Sequence, residues 1–230
     1  FIPGAEAFSK ASPPKPAPKK KEASAKPKHL KVKKGDRIVL IGSGMASRMN
    51  HFGHFETELF LRYPKMDLTI RNMGDEGNTP GFRPHPGRNF VDQYAFAGAK
   101  ALVPKEYQAD SNPQGQFETP DQWLSRLQAD TILAFFGFNS SFRGPEDVER
   151  YKKELDAFLK HTLAQKYNGK SAVQVALVSP TAFQNLSKVY GTPNGKAENK
   201  NLAIYTRASK EIADANGVLF VDAFTPSRSW

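Results

Sequence analysis

Two rhythms of apolar and polar residues divide the chain from Gly35 onward. Short apolar runs rich in β-branched residues recur at "RIVLIG" (37–42), "MDLTIRN" (66–72), "DTILAFFG" (130–137), "AVQVALVSP" (172–180) and "VLFVDAF" (218–224). Their length and near-continuous apolarity predict strands buried on both faces. Between them the period lengthens. Met45, Met49, Phe52, Leu59 and Tyr63, widened by Phe55 and Phe60 and ended by Pro64, predict one helix after the first strand. "PDQWLSRLQA" predicts a short helix with Trp123, Leu124 and Leu127 on one side. "GPEDVERYKKELDAFLKHTLAQKY" is the strongest helical pattern. Its first turn is acidic, and Val148, Tyr151, Leu155, Phe158, Leu159 and Leu163 form an apolar face. Residues 198–215 predict a further amphipathic helix through Leu202, Tyr205, Ile212 and Ala213, stopped at Asn216-Gly217. Strands separated by helices predict an α/β fold: a doubly wound, mostly parallel five-stranded sheet flanked by helices. Reactive groups in such sheets gather at the carboxyl ends of the strands.

Two stretches break the rhythm. Residues 80–119 form an excursion rich in Pro, Gly and aromatic residues that leaves from the carboxyl end of the second strand. Loops of that length are lids, binding loops or plain surface insertions, and the sequence leaves these open. Residues 1–34 carry ten lysines against Glu6 and Glu22, so the tail holds +8 of the formal +10 and the remainder is close to neutral. Its Lys, Pro, Ala and Ser content offers little to bury, which predicts a disordered basic tail or linker ahead of one α/β domain at 35–230. A basic arm of this kind contacts anionic polymers weakly, in a salt-sensitive way. The opening "FIPGAEAFSKA" has the look of an export-signal remnant, so an exported, periplasmic or extracellular, location is expected. No apolar run is long enough to span a membrane, and the absence of cysteine excludes disulfides, thiolate metal sites and a cysteine nucleophile.

The strand ends supply the candidate chemistry. "GSGMAS" after the first strand offers Gly42-x-Gly44 as part of a dinucleotide fingerprint. Ser47 replaces the third glycine, and Arg71 and Asn72 stand where a ribose-binding acid belongs. Nucleotide binding is therefore a lesser alternative, and without Gly-Lys-Ser/Thr a Walker loop is excluded. Gly77 in "RNMGDEGNT" and Asn139 in "FFGFNSSFRG" bring a backbone N–H and a neutral amide to two other strand ends. Two such donors aimed at one point make an oxyanion hole. Taken alone, Asn139 reads as a turn-forming asparagine. His54 and Glu58, one helical turn apart, with His51 three residues before, hint at metal ligation, but no further ligand is identifiable. Neither a metal nor a cofactor is expected.

Together these segments, over about residues 35–224, resemble the SGNH hydrolases, the GDSL-type esterases, and so imply an SGNH/flavodoxin-like three-layer sandwich. "NMGDEGNT" is similar to the family's second block and places its oxyanion glycine on Gly77. "GFNSSFRG" is similar to the third block, G-x-N-D, and places the oxyanion asparagine on Asn139, with Ser140 at the family's Asp. The first block, G-D-S-L, falls on Gly42-Ser43-Gly44-Met45, so Gly44 occupies the nucleophile position and Ser43 stands one residue early. The family's Asp/His block, expected past the last strand, is absent from these residues, and Asp222 corresponds to an acid upstream of it. The wording resembles divergent SGNH-like domains of large secreted planctomycete-type proteins, which implies a domain truncated at its C-terminus. Two functions follow as expectations. One is a non-catalytic module binding carbohydrate, an ester or a partner through the degenerate cleft. The other is an active esterase or O-acetylesterase using Ser43 and a histidine supplied beyond residue 230.

Overall fold

The computed structural model describes residues 29–83, 94–107 and 118–229. Five strands form one sheet: β1 (Arg37–Gly42), β2 (Thr69–Asn72), β3 (Thr131–Phe135), β4 (Gln174–Val178) and β5 (Leu219–Val221). Every pairing is parallel and the order is β2-β1-β3-β4-β5. The order reverses between β1 and β3, and in open α/β sheets the crevice outside the carboxyl ends at such a point is where ligands bind.

Because side chains alternate across a strand, each run feeds two cores. Val39, Ile41, Ile132, Ala134, Val175 and Leu177 face one side. There they meet α3 (Pro120–Leu127), α5 (Val148–Leu163) and α7 (Lys196–Ala215). The helices α5 and α7 lock together through Tyr151, whose hydroxyl lies 2.7 Å from Ser209 Oγ, and Tyr205, which donates to the Gly144 carbonyl at 2.8 Å. Burial pushes the Tyr205 phenol up to about 12, which keeps it a neutral donor.

Ile38, Leu40, Leu133, Phe135, Ala176 and Val178 face the other side. That face is covered by α1 (Gly44–Met49) and α2 (His54–Arg62), and by Leu30 and Val32 from the segment preceding β1. The single helix expected over 45–63 is two. Asn50 closes α1 and Gly53 opens α2, and no residue of α2 is buried. Breaking at 50–53 lets α1 bury Ala46 on the sheet while α2 packs only Phe55 and Leu59 against the same core.

Three short helices complete the order: α4 (Phe138–Ser141), α6 (Ser187–Tyr190) and α8 (Phe224–Ser227). Residues 29–34 lie against the sheet, where the Lys31 N–H and carbonyl both bond the Gln174 side chain at 2.9 Å. The tail's remaining residues, 1–28, lie outside the described residues, as do 84–93 and 108–117 of the excursion with His85. Of the excursion, Phe96 and Ala99 pack with α5 in the first core.

Candidate functional site

The end of β1 is shaped by contact with β3. Gly42 has φ +114°, and a Cβ there would sit 2.1 Å from the Phe135 carbonyl oxygen, so only glycine fits. That approach lets the Ser43 N–H donate to the same carbonyl at 2.9 Å. The Gly42 carbonyl in turn accepts from the Asp75 N–H at 2.9 Å and the Asn78 amide at 3.0 Å, which draws the loop after β2 onto the turn. Asn72 secures the loop's root, donating to the Ala46 carbonyl at 2.7 Å and accepting from the Gly74 N–H at 2.8 Å. A side chain at Gly74 would meet Ala46 Cβ at 2.4 Å. Asn72 thus works as a brace where a nucleotide-binding fold keeps its ribose acid.

Across the switch point, Asn139 on α4 donates through Nδ2 to the Asn78 carbonyl at 3.2 Å. An amide nitrogen carries two hydrogens, so one remains for a ligand. The Gly77 N–H makes no hydrogen bond among the described residues. Ser43, Gly44, Gly77 and Asn139 line one cleft of about 1040 Å³, so the geometry brings together all four residues singled out by sequence. Their states differ. Ser43 is 3% exposed and its Oγ donates back to the Phe135 carbonyl at 3.3 Å, a hydroxyl turned into the backbone. Gly44 has open space: a Cβ built there meets no heavy atom within 4 Å.

A second cavity of about 330 Å³ shares Gly77 and Asn139 and is otherwise lined by Thr79, Phe82, Ser140, Phe142, Arg143 and Arg150. Its back wall is a network that the sequence reading missed. Glu154 of α5 is fully buried on the helix's core face and accepts from Thr79 Oγ1 at 2.5 Å, the Gly81 N–H at 2.8 Å and Arg150 Nη1 at 2.6 Å. Arg150 also makes a two-pronged bond to Asp147 and reaches the Leu102 carbonyl. Burial alone would lower the Arg150 pKa, but its bonds to Asp147 and Glu154 hold it above its usual value. Arg143 pairs with Glu106 and Asp147. The signal was available: Glu154 follows Tyr151 by three residues, on the apolar stripe, with Arg150 one turn before it.

The other candidates fall elsewhere. Asp222 accepts from the Thr225 N–H at 2.9 Å and its hydroxyl at 2.6 Å. Slight burial raises its pKa less than these bonds lower it, so it sits below its usual value as a turn-holding carboxylate. His54 begins α2 at the cleft's edge, exposed and stacked with Phe52 at 6.4 Å. His161 bonds Asp121 at 2.7 Å, joining α5 to the start of α3, and neither residue lines the cleft. Among the described residues no cluster of three metal-ligating side chains exists, and no helix is long and apolar enough to cross a membrane.

No protein-family model and no curated protein matches the chain. Solved structures do match its fold. A gut microbial diltiazem-metabolizing enzyme, BT4096, superposes with a TM-score of 0.56 at 15% identity over 87% of this chain, which spans only 39% of that protein. Axe2, an acetyl xylan esterase from Geobacillus stearothermophilus, superposes in one variant with a TM-score of 0.54 at 15% identity, covering 87% of this chain and 82% of the enzyme. LAE5, an α/β hydrolase enzyme from the metagenome of Lake Arreo, gives 0.51 at 17% identity over 84% and 78% of the two chains. The expected α/β architecture is thus the observed one, a five-stranded, all-parallel sheet flanked by helices, and that fold superposes on solved esterase and hydrolase structures.

Proposed function

We propose that this chain is an SGNH-type ester-recognition domain that holds an acyl or ester ligand in its cleft without cleaving it. The observation carrying this reading is the pairing, in one cleft, of two oxyanion-type donors, the unpaired Gly77 N–H and the half-used Asn139 amide, with an unfilled position at Gly44. The Gly77 N–H and the second Asn139 hydrogen would receive a carbonyl oxygen, as preorganised donors receive the developing oxyanion in acyl transfer. What fails is the attacking side. The Ser43 hydroxyl is committed to Phe135 O, one residue from the family's nucleophile position. A one-residue offset moves a hydroxyl by about 3–4 Å, and errors of about 1 Å already cost on the order of a hundredfold. The His161–Asp121 pair lies away from the cleft and supplies no base to it.

The second reading is an active carboxylic-ester hydrolase. Ser43 lines the cleft, and several fold neighbours are esterases. In that reaction Ser43 Oγ would attack the ester carbonyl, a histidine from outside the described residues would take its proton, and the alcohol would leave with that proton. Because Axe2 is an acetylxylan esterase, acetylated xylooligosaccharides are the first hydroxylated esters to try. An exported setting completes the proposal.

Turnover of p-nitrophenyl acetate and labelling by a fluorophosphonate probe decide between the readings, with this chain and a longer one. The recognition reading expects neither. Labelling that Ser43→Ala abolishes would overturn it.

A further inference from the structure

We infer that the cleft is a seat for a long-chain monocarboxylate, its head on Gly77, Asn139 and the space over Gly44, its chain running between the sheet and α2. This rests on the ester-recognition reading and narrows its ligand.

The cleft is much larger than an acetyl group requires. At about 1040 Å³ it stands at the top of the roughly 300–1000 Å³ range of pockets that enclose small molecules. Its floor is Leu133, Phe135, Ala176 and Val178, side chains of the second core. Phe55 and Leu59 of α2 form the opposite wall, partly buried where they pack over the second core and line the cleft. Leu30 and Val32 line the far end.

Length gives the ligand. From Ile38 to Ser43 the strand advances five residues, about 17 Å at roughly 3.3 Å each. A zigzag hydrocarbon with bonds of about 1.5 Å advances about 1.3 Å per carbon, so a chain of about 13–14 carbons spans that distance.

The ends give its direction. At the carboxyl ends of the strands stand the unpaired Gly77 N–H and the spare Asn139 hydrogen, with Arg48 beside them in its pair with Glu76. At the other end is Asp36, which is 7% exposed and accepts from the Lys33 N–H. An anionic head is favoured beside the donors and repelled beside Asp36. The missing side chain at Gly44 makes a carboxylate fit better than an ester. One oxygen sits on the two donors, and the second occupies space that a nucleophile's hydroxyl would fill.

The test is calorimetric titration of the delipidated full chain with saturated monocarboxylates from eight to eighteen carbons, their methyl esters and the matching 1-alkanols. Affinity should rise about three- to fourfold per methylene and level off near fourteen carbons. Acids should exceed alkanols by at least tenfold, and Asn139→Ala should narrow that gap. Ala176→Phe, which raises the floor, should move the plateau to shorter acids, a shift that misfolding does not mimic. A second blocking variant, Leu133→Trp, repeats the test if the first does not fold. Flat chain-length dependence, or equal affinity for acid and alkanol, would overturn the inference. So would a longer chain that binds no acid, since polypeptide would then fill the groove. Ester turnover with normal acid binding would instead defeat only the non-catalytic reading.

Discussion

Asn139 donates its side-chain amide to the carbonyl of Asn78, and the residue before Asn78 is Gly77. One hydrogen bond of 3.2 Å therefore ties Asn139 to the loop that carries Gly77, although the two donors leave different strands 62 positions apart. Asn139→Ala should cost about 1 kcal/mol of stability, the worth of a half-buried neutral hydrogen bond. Its effect on binding should be larger, at least tenfold, because the donor and the anchor of its partner go together. Thermal unfolding and titration on the same variant separate the two.

Gly42 and Gly44 are two residues apart and should respond in opposite ways. Gly42→Ala places Cβ on the Phe135 carbonyl at a left-handed backbone angle. It should cost about 3 kcal/mol or more, roughly 6–12 °C in Tm for a domain of this size. Gly44→Ser meets open space and should keep Tm within about 2 °C. It should not restore p-nitrophenyl acetate turnover beyond about tenfold over background, because a serine without a base is a poor nucleophile.

Glu154 braces the donor loop from behind. Glu154→Leu leaves Arg150 without one of its buried acids and strips partners from Thr79 and the Gly81 N–H. Breaking a buried ion pair costs about 3–5 kcal/mol, here roughly 6–20 °C in Tm. Hydrogen exchange should quicken first at residues 77–82. Uniform acceleration across the sheet would mean that Glu154 supports the core and not this loop.

Asp222 makes a prediction with a pH sign. Its folded pKa lies below the ordinary carboxylate value, so its contribution is present above the unfolded pKa, near 4, and fades as pH falls through the folded one. Asp222→Asn should lower Tm slightly at neutral pH and leave it nearly unchanged near pH 2. A loss of equal size at both ends would contradict the account.

Deleting residues 1–28 removes seven lysines and two glutamates. Salt-sensitive binding to DNA or another polyanion should disappear, while fatty-acid titrations stay the same, because Leu30 and Val32 remain.

The strands were legible because a buried parallel strand needs only a short apolar run, and each run from 37 to 221 became one. The chemistry-bearing strand ends were legible for a related reason, since a run's carboxyl end is known once the run is. The break between α1 and α2 was written as Asn50 and Gly53, but a continuous apolar stripe at helical spacing hid it. Glu154 was hidden by its own chemistry: a carboxylate on an apolar stripe reads as solvated until its three donors are seen.

The sequence by itself determined what is local: five strands, the long amphipathic helices between them, the glycines their turns require, and a glycine at 44 without a hydroxyl. Such features depend on neighbours a few residues away, through steric limits on the backbone and the period of apolar side chains. Only the tertiary structure decided the rest. Strand order brought Gly77 and Asn139 to one cleft, close packing of β1 on β3 turned the Ser43 hydroxyl onto Phe135, and α2 came to wall the cleft with Phe55 and Leu59. Each depends on contacts between segments distant in the chain, which the local pattern does not encode.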